Sequence, residues 1–197
     1  MLCVGAGVGA SSSSTPQRIA SLNLCTDQML LMLVPRQRIA SLTDWAARPE
    51  SSYMARAAVG IPANHGEAEG VLPQRPDLVV TGEYNDTAML HLLRQLGYRV
   101  AVVKVPRNLD EARAFILRFG DLVGAETRAQ ALVDDMRTQL AAIDTEVRAM
   151  QRRAESRKQP LAAVYAPNGM TPGRNTIMAE ILARAGRERV EGKRLYS

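Results

Sequence analysis

The sequence predicts an α/β protein with two parallel-sheet, Rossmann-like lobes joined by one long helix, the second lobe being incomplete. Three observations support this fold class. The pentapeptide RIASL occurs twice, at 18–22 and 38–42. Short apolar runs alternate with helical segments up to residue 123, and an unusually long apolar stripe follows. Strands that alternate with helices indicate a parallel sheet covered on both faces.

The repeated pentapeptide predicts two neighbouring parallel strands. The connection of about 15 residues is too long for a hairpin and suits a β-α-β crossover. Within it, QMLLML forms a helix that Thr26 or Asp27 caps and Pro35 ends. No third copy follows, so the repeat does not indicate a solenoid.

The alternation continues through the first lobe. Strands are predicted at 76–82 and 98–103, and a helix closed by Gly97 lies between them. Asn108, with Glu111 three residues later, forms a capping box for a helix that runs to about Val123.

A long helix is predicted at 127–157, followed by the start of another α/β unit. Its apolar stripe consists of Leu132, Met136, Leu140, Ile143, Val147 and Met150. A strand near Pro160 and a helix at 175–185 come next, and they begin a second body without completing it. The predicted organisation is a signal-peptide remnant at 1–15, an N-terminal lobe at 16–124, the inter-lobe helix at 125–158, and the start of the C-terminal lobe at 159–197.

Composition excludes several classes of function. The net charge of +5 comes from arginines spread along the chain, without the aromatic-interleaved basic face of a nucleic-acid site. Two cysteines and two histidines provide neither a disulfide framework nor a His-rich metal site, and no cofactor is expected. No apolar run approaches the roughly 20 residues of a membrane span.

The N-terminal segment resembles the end of a secretory signal. VGAGVGA lacks the spacing of a dinucleotide-binding loop, whereas small residues at 8–10 suit a signal-peptidase site. The positively charged region that opens such signals is absent, so we expect export, with either a truncated signal or a wrongly placed start codon.

Candidate ligand contacts follow the predicted strands, because open parallel sheets bind ligands beyond the carboxyl ends of their strands. These candidates are Cys25, Thr26, Asp44, Trp45, Glu83, Tyr84, Tyr165 and Asn168. Each also has a structural interpretation. Trp45 could cover the sheet edge, Cys25 could be a small buried apolar residue, and Thr26 and Asp44 could act as caps. The arginines do not concentrate in these loops.

No catalytic constellation is recognisable in the sequence. There is no nucleophile paired with a base, no phosphate-binding loop and no pair of closely spaced carboxylates on one element. A cytoplasmic α/β enzyme would place a phosphate loop after the first strand, but NLCTD contains no glycine. An enzyme is therefore unsupported by the residues, and we expect no enzymatic activity.

The ordered segments resemble one family closely. RIASLNLCTDQMLLML, GEAEGVLPQRPDLVVTGEY, LRQLGYRV, the long helix and AVYAPNGMTPGRNTIMAEILARAG are similar to the periplasmic substrate-binding proteins of ABC importers for iron-siderophores and vitamin B12. The resemblance covers roughly 17–186. It implies two α/β lobes on one rigid helix, with the ligand held in the cleft between them.

The resemblance also implies the partners. The ligand would be a ferric siderophore or corrinoid, and the monomeric protein would deliver it to an ABC permease in the inner membrane. Glu69, seven residues before the proline of the PDLV strand, corresponds to the family's permease-docking glutamate. Because the second lobe is incomplete, a remnant that does not transport and exposes the helix stripe is the alternative.

Overall fold

The computed structural model describes residues 14–153, 161–162, 164, 173, 175–186 and 188–189. Four parallel strands form the first sheet in the order β2-β1-β3-β4. They are β1 (Ile19–Ser21), β2 (Ile39–Ser41), β3 (Leu78–Gly82) and β4 (Val100–Val103). The α/β fold class is confirmed.

The RIASL copies pair directly with each other. Ile19 of β1 lies opposite Ile39 of β2 in a parallel register, so the prediction of two neighbouring parallel strands is confirmed. The helix between them, α1 (Leu24–Leu33), packs back onto the sheet and buries Leu30 and Leu33. All three residues of each strand are buried, and this similar burial accounts for the similar sequences.

The predicted cap of α1 is wrong. Asn23, rather than Thr26 or Asp27, caps the helix, and its side-chain oxygen accepts the Cys25 N–H at 2.9 Å. Asn23 has an extended backbone and a strongly preferred N-cap side chain, so the helix begins earlier than its apolar run. Thr26 and Asp27 instead lie in the first turn and are buried.

Helices cover both faces of the sheet. Short helices α2 (Ala55–Ala58) and α3 (Ala68–Val71) precede β3, and α4 (Thr87–Gln95) precedes β4. Alternate residues of β3 divide between two cores: Leu78 and Val80 join the larger one, and Val79 joins the one beneath α3 and α4. This alternation follows from the twofold period of a strand.

The predicted capping box opens α5 (Leu109–Val123). The Asn108 side chain accepts the Glu111 N–H at 2.7 Å, and Gly124 ends the helix in the left-handed region with a φ of 62°. Phe115 and Phe119, on one face of α5, stack at 5.7 Å within the larger core.

The long helix α6 (Glu126–Arg153) is about 42 Å long at about 1.5 Å per residue. Ala129 and Val133 are its fully buried residues, and Leu132 and Met136 pack beside them on the core. The distal half of the predicted stripe is not packed on this core, and Ile143 is 46% and Met150 58% exposed. Those positions lie beyond the reach of the first sheet.

A second α/β unit begins after α6. Strands β5 (Leu161–Ala162) and β6 (Glu188–Arg189) pair in parallel, and α7 (Ile177–Arg184) lies between them in the chain. The strand and the helix were predicted, whereas β6 was not. Arg184 of α7 forms a 2.9 Å ion pair with Asp144 of α6, which connects the second unit to the long helix.

Candidate functional site

The carboxyl ends of β1 and β3 are joined by two asparagines. The Asn85 amide donates to the Leu22 carbonyl at 2.9 Å, and the Asn23 amide reaches the Asn85 side-chain oxygen at 3.4 Å. Gly82 lies beside this pair, because a Cβ there would be 3.0 Å from the Asn23 amide nitrogen. The loops after these strands are therefore held together by polar side chains.

A buried carboxylate holds the loop that follows β2. Asp27 is fully buried, and it accepts the Thr43 N–H at 3.2 Å and the Thr43 hydroxyl. Thr43 immediately precedes the 3-10 turn Asp44–Ala47, so Asp27 anchors the backbone that carries Trp45. On the other side of β2, the buried Asn64 amide donates to the Ser21 carbonyl and the Ser41 hydroxyl.

Burial changes the acidity of two groups beside this anchor. Desolvation raises the pKa of Asp27 to about 6, although hydrogen bonding by Ser21 and Thr43 acts against the shift. Desolvation, and after it the charge of Asp27, raises the pKa of the Cys25 thiol. Since the thiolate is the reactive form, Cys25 is held in its unreactive state.

Trp45 and its neighbours form a compact charged cluster at the carboxyl edge. Trp45 is 50% exposed, and the Arg48 guanidinium lies over its ring, 4.2 Å from the centroid. Arg48 also forms an ion pair with Asp44, whose other oxygen is 3.9 Å from His65 Nδ1. One face of the indole is thus covered by a cation.

The loop after β3 presents Glu83 and Tyr84. Tyr84 is 84% exposed, and the Glu83 carboxylate accepts the Val105 N–H at 2.9 Å, which ties this loop to the one after β4. In the latter loop Arg107 pairs with Glu111, whose pKa is lowered by hydrogen bonds from the Arg107 backbone and side chain.

The structure places the predicted contacts at different depths. Asp44, Trp45, Glu83 and Tyr84 all lie on the loops beyond the carboxyl ends of β2 and β3. Cys25 is half-buried at the start of α1. Tyr165 and Asn168, and the predicted signal remnant except for its last two residues, fall outside the described residues.

Thr26 requires a correction. It is fully buried, and its hydroxyl is hydrogen-bonded to Ser21 Oγ at 2.7 Å and to the Asn23 carbonyl at 2.9 Å. A hydroxyl in this position has no surface to offer a ligand, so Thr26 supports the turn between β1 and α1.

The sequence interpretation missed two arginines. Arg48 and Arg107 both lie in loops at the carboxyl edge, although the sequence shows no concentration of arginines there and neither residue was among the predicted contacts. The sequence does contain a signal for Arg48. It lies four residues after Asp44, a spacing typical of an ion pair, and Trp45 lies between the two. Arg107 immediately precedes Asn108, which caps α5, so the predicted capping box already located Arg107 in the loop before that helix.

Glu69 lies apart from this cluster. It is exposed on α3, the short helix that precedes β3. Gly70 beside it allows α3 to approach the loop at Asn64, because a Cβ there would lie 2.5 Å from the Asn64 carbonyl oxygen.

Two further properties concern the described residues alone. No three side chains among their histidines, cysteines, aspartates and glutamates come together as a metal site would require. None of their helices combines the length and apolar character needed to cross a bilayer.

Comparison with known proteins shows the family to which the chain belongs. The model of the family described as periplasmic binding protein matches residues 19–193, so the chain belongs to that family. It is a family of binding proteins, and no enzymatic activity is assigned to the chain. No curated protein matches significantly.

Solved structures share the fold. A possible iron-binding, periplasmic solute-binding protein of Staphylococcus epidermidis is 20% identical with a TM-score of 0.71, the match covering 90% of this chain and 70% of that one. A periplasmic heme-binding protein of Pseudomonas aeruginosa is 25% identical with a TM-score of 0.70, over 88% and 62%. The vitamin B12-binding protein BtuF of Vibrio cholerae is 18% identical with a TM-score of 0.61, over 91% and 68%. The chain thus spans about two thirds of the length of these proteins.

Proposed function

We propose that the chain is the ligand-capturing part of an ABC importer, which binds a metal chelate or a corrinoid in the periplasm and delivers it to a permease. The observation that carries this proposal is the presence of two exposed aromatic side chains, Trp45 and Tyr84, on the loops after β2 and β3, at the same carboxyl edge of the sheet. Aromatic residues make up only 4% of the chain, and ligands of open parallel sheets bind at this edge.

The proposed contacts divide by chemistry. Trp45 and Tyr84 pack on the apolar surface of the ligand, while Glu83, Asp44 and Asn168 provide polar contacts. Cys25 and Tyr165 are further proposed contacts to the ligand. The metal arrives inside its chelator, so the contacts are made to the organic ligand and the protein needs no metal-binding cluster of its own.

A second lobe completes the site in this proposal. The unit formed by β5, α7 and β6 begins that lobe, and α6 carries the chain to it. A ligand buried between two lobes loses more water-exposed surface than one bound to a single lobe, so the affinity depends on how much of the second lobe is present.

One observation favours a second candidate role, that of a remnant that does not transport. Ile143 and Met150 of α6 and Ile181 of α7 are exposed apolar side chains. A chain in which they remain bare self-associates and binds a hydrophobic dye. A protein that elutes as a monomer in size-exclusion chromatography and does not bind the dye would exclude this role.

Direct titration of the purified chain tests the proposal. Hemin, a ferric tris-hydroxamate, a ferric tris-catecholate and cyanocobalamin are each added while calorimetry and the emission of Trp45, the only tryptophan, are followed. We expect saturable binding of at least one ligand with quenching of Trp45. A folded chain that binds none of the four contradicts the proposal.

A further inference from the structure

The cation over Trp45 is held in place by the backbone of the turn and by a weak ion pair. The Arg48 N–H donates to the Trp45 carbonyl at 3.2 Å and closes the 3-10 turn, which brings the guanidinium back over the indole. The ion pair with Asp44 joins residues four apart and is partly exposed. Such a pair contributes little to stability, because water and salt screen it.

Arg48 retains capacity to bind an anion. A guanidinium carries five N–H donors in a planar fork, and within the part of the chain that the structure describes Arg48 uses its side chain for one hydrogen bond, to Asp44. Its side chain is 42% exposed, and His65 lies on the other side of Asp44 as a second basic group. The free donors and half of the indole surface are thus both accessible at the same edge.

We propose that Arg48 determines specificity, selecting ligands that carry an anionic group beside a flat ring system. This inference rests on the proposed function, since it concerns the same carboxyl-edge surface. A carboxylate accepts hydrogen bonds from the free edge of the guanidinium, while the ring packs on the part of Trp45 that Arg48 leaves exposed. Asp44 keeps the guanidinium oriented while the anion binds.

The geometry distinguishes this role from a general attraction of charge. A lysine would keep the charge but lose the planar fork and most of the stacking on the indole. Arg48→Lys should therefore retain part of the preference for anions, whereas Arg48→Gln should lose it. Arg56, exposed on α2 in the same stretch of chain, is a matched control for loss of a surface arginine.

Hemin and hemin dimethyl ester provide the sharpest probe pair, because they differ only in the esterification of two carboxylates. The full 197-residue chain and its variants are titrated with both porphyrins by absorbance and calorimetry. We expect Arg48→Gln to weaken hemin binding about tenfold or more, as for loss of a charge-assisted hydrogen bond, and to leave the ester little changed. Arg56→Gln should alter neither affinity, and thermal melting shows that each variant is folded.

The outcomes separate this inference from the function on which it rests. Equal loss of hemin and ester binding in Arg48→Gln, or no loss in either, overturns the role of Arg48 while a binding function stands. Binding of cyanocobalamin or a neutral ferric tris-hydroxamate in preference to hemin and an anionic ferric tris-catecholate also overturns it. If no ligand binds the folded wild-type chain, the proposed function fails as well.

Discussion

At the residue scale, Asp27 shows how burial changes what a side chain does. The sequence marks it as a helix cap, but the fold buries it completely and gives it both donors of Thr43. A cap can be predicted from neighbouring residues, whereas burial depends on β2 and the loop after it, which arrive from elsewhere in the chain. The position of Trp45 at the carboxyl edge was predictable, because Trp45 closely follows the end of β2. The position of the Arg48 guanidinium over its ring was not predictable.

The raised pKa of Asp27 predicts an unusual pH dependence of stability. Its pKa rises from an ordinary 3.8 to about 6 on folding, so the folded state takes up a proton at higher pH than the unfolded state. The contribution of Asp27 to the free energy of unfolding is therefore largest below pH 3.8 and is lost as the pH rises through about 6. Its full size is about 3 kcal/mol.

Asp27→Asn provides the check. Chemical denaturation of wild type and variant at about pH 4 and about pH 7.5, on either side of the raised pKa, should show the difference between their free energies of unfolding changing by about 2 kcal/mol in favour of the variant at the higher pH. Asn keeps an acceptor for the Thr43 N–H without a buried charge. A pH-independent difference between the two proteins would show that Asp27 has an ordinary pKa.

At the element scale, the meeting of α5 and α6 depends on the absence of a side chain. A Cβ at Gly120 would lie 2.4 Å from the Ala129 Cβ, closer than atoms can approach without displacement. The sequence predicted both helices and the cap of α5 from local signals. It could not predict this crossing, since an interior glycine ordinarily weakens a helix and the reason for it lies in the neighbouring helix.

Gly120→Ala should destabilise the fold despite the better helix propensity of alanine. We expect the free energy of unfolding to fall by about 1–3 kcal/mol, the usual cost of overpacking, as measured by urea denaturation. Ala129→Gly removes the opposing methyl group and is the control background. If Gly120→Ala lowers the free energy of unfolding as much in the Ala129→Gly background as in wild type, the two Cβ positions do not collide.

At the scale of the whole molecule, the long helix places two units at its two ends. Its first half buries Ala129 and Val133 against the first sheet, and Asp144 in its second half holds α7 through Arg184. A further contact, from Glu180 of α7 to the Leu109 N–H at 2.7 Å, joins the second unit to the start of α5. The helix length was predictable from its periodicity, but these ties between distant segments were not.

Glu69 tests the proposed delivery step separately from capture. Because it is exposed and apart from the aromatic cluster, Glu69→Ala should leave ligand affinity unchanged and lower uptake into cells that carry the cognate permease. Glu67→Ala, which removes an exposed carboxylate two residues away, should lower uptake less. Loss of ligand binding in Glu69→Ala would assign that residue to the cleft or the fold, and unchanged uptake would remove it from docking.

The central claim is that the carboxyl edge of the first lobe binds the ligand through Trp45. The most direct test is calorimetric titration of Trp45→Ala with the ligand that the wild-type chain binds, beside Leu96→Ala as a control for an exposed apolar residue at the end of α4. The account predicts at least a tenfold loss of affinity for Trp45→Ala, about 1.4 kcal/mol, and none for Leu96→Ala. An unchanged affinity of a folded Trp45→Ala protein would contradict it.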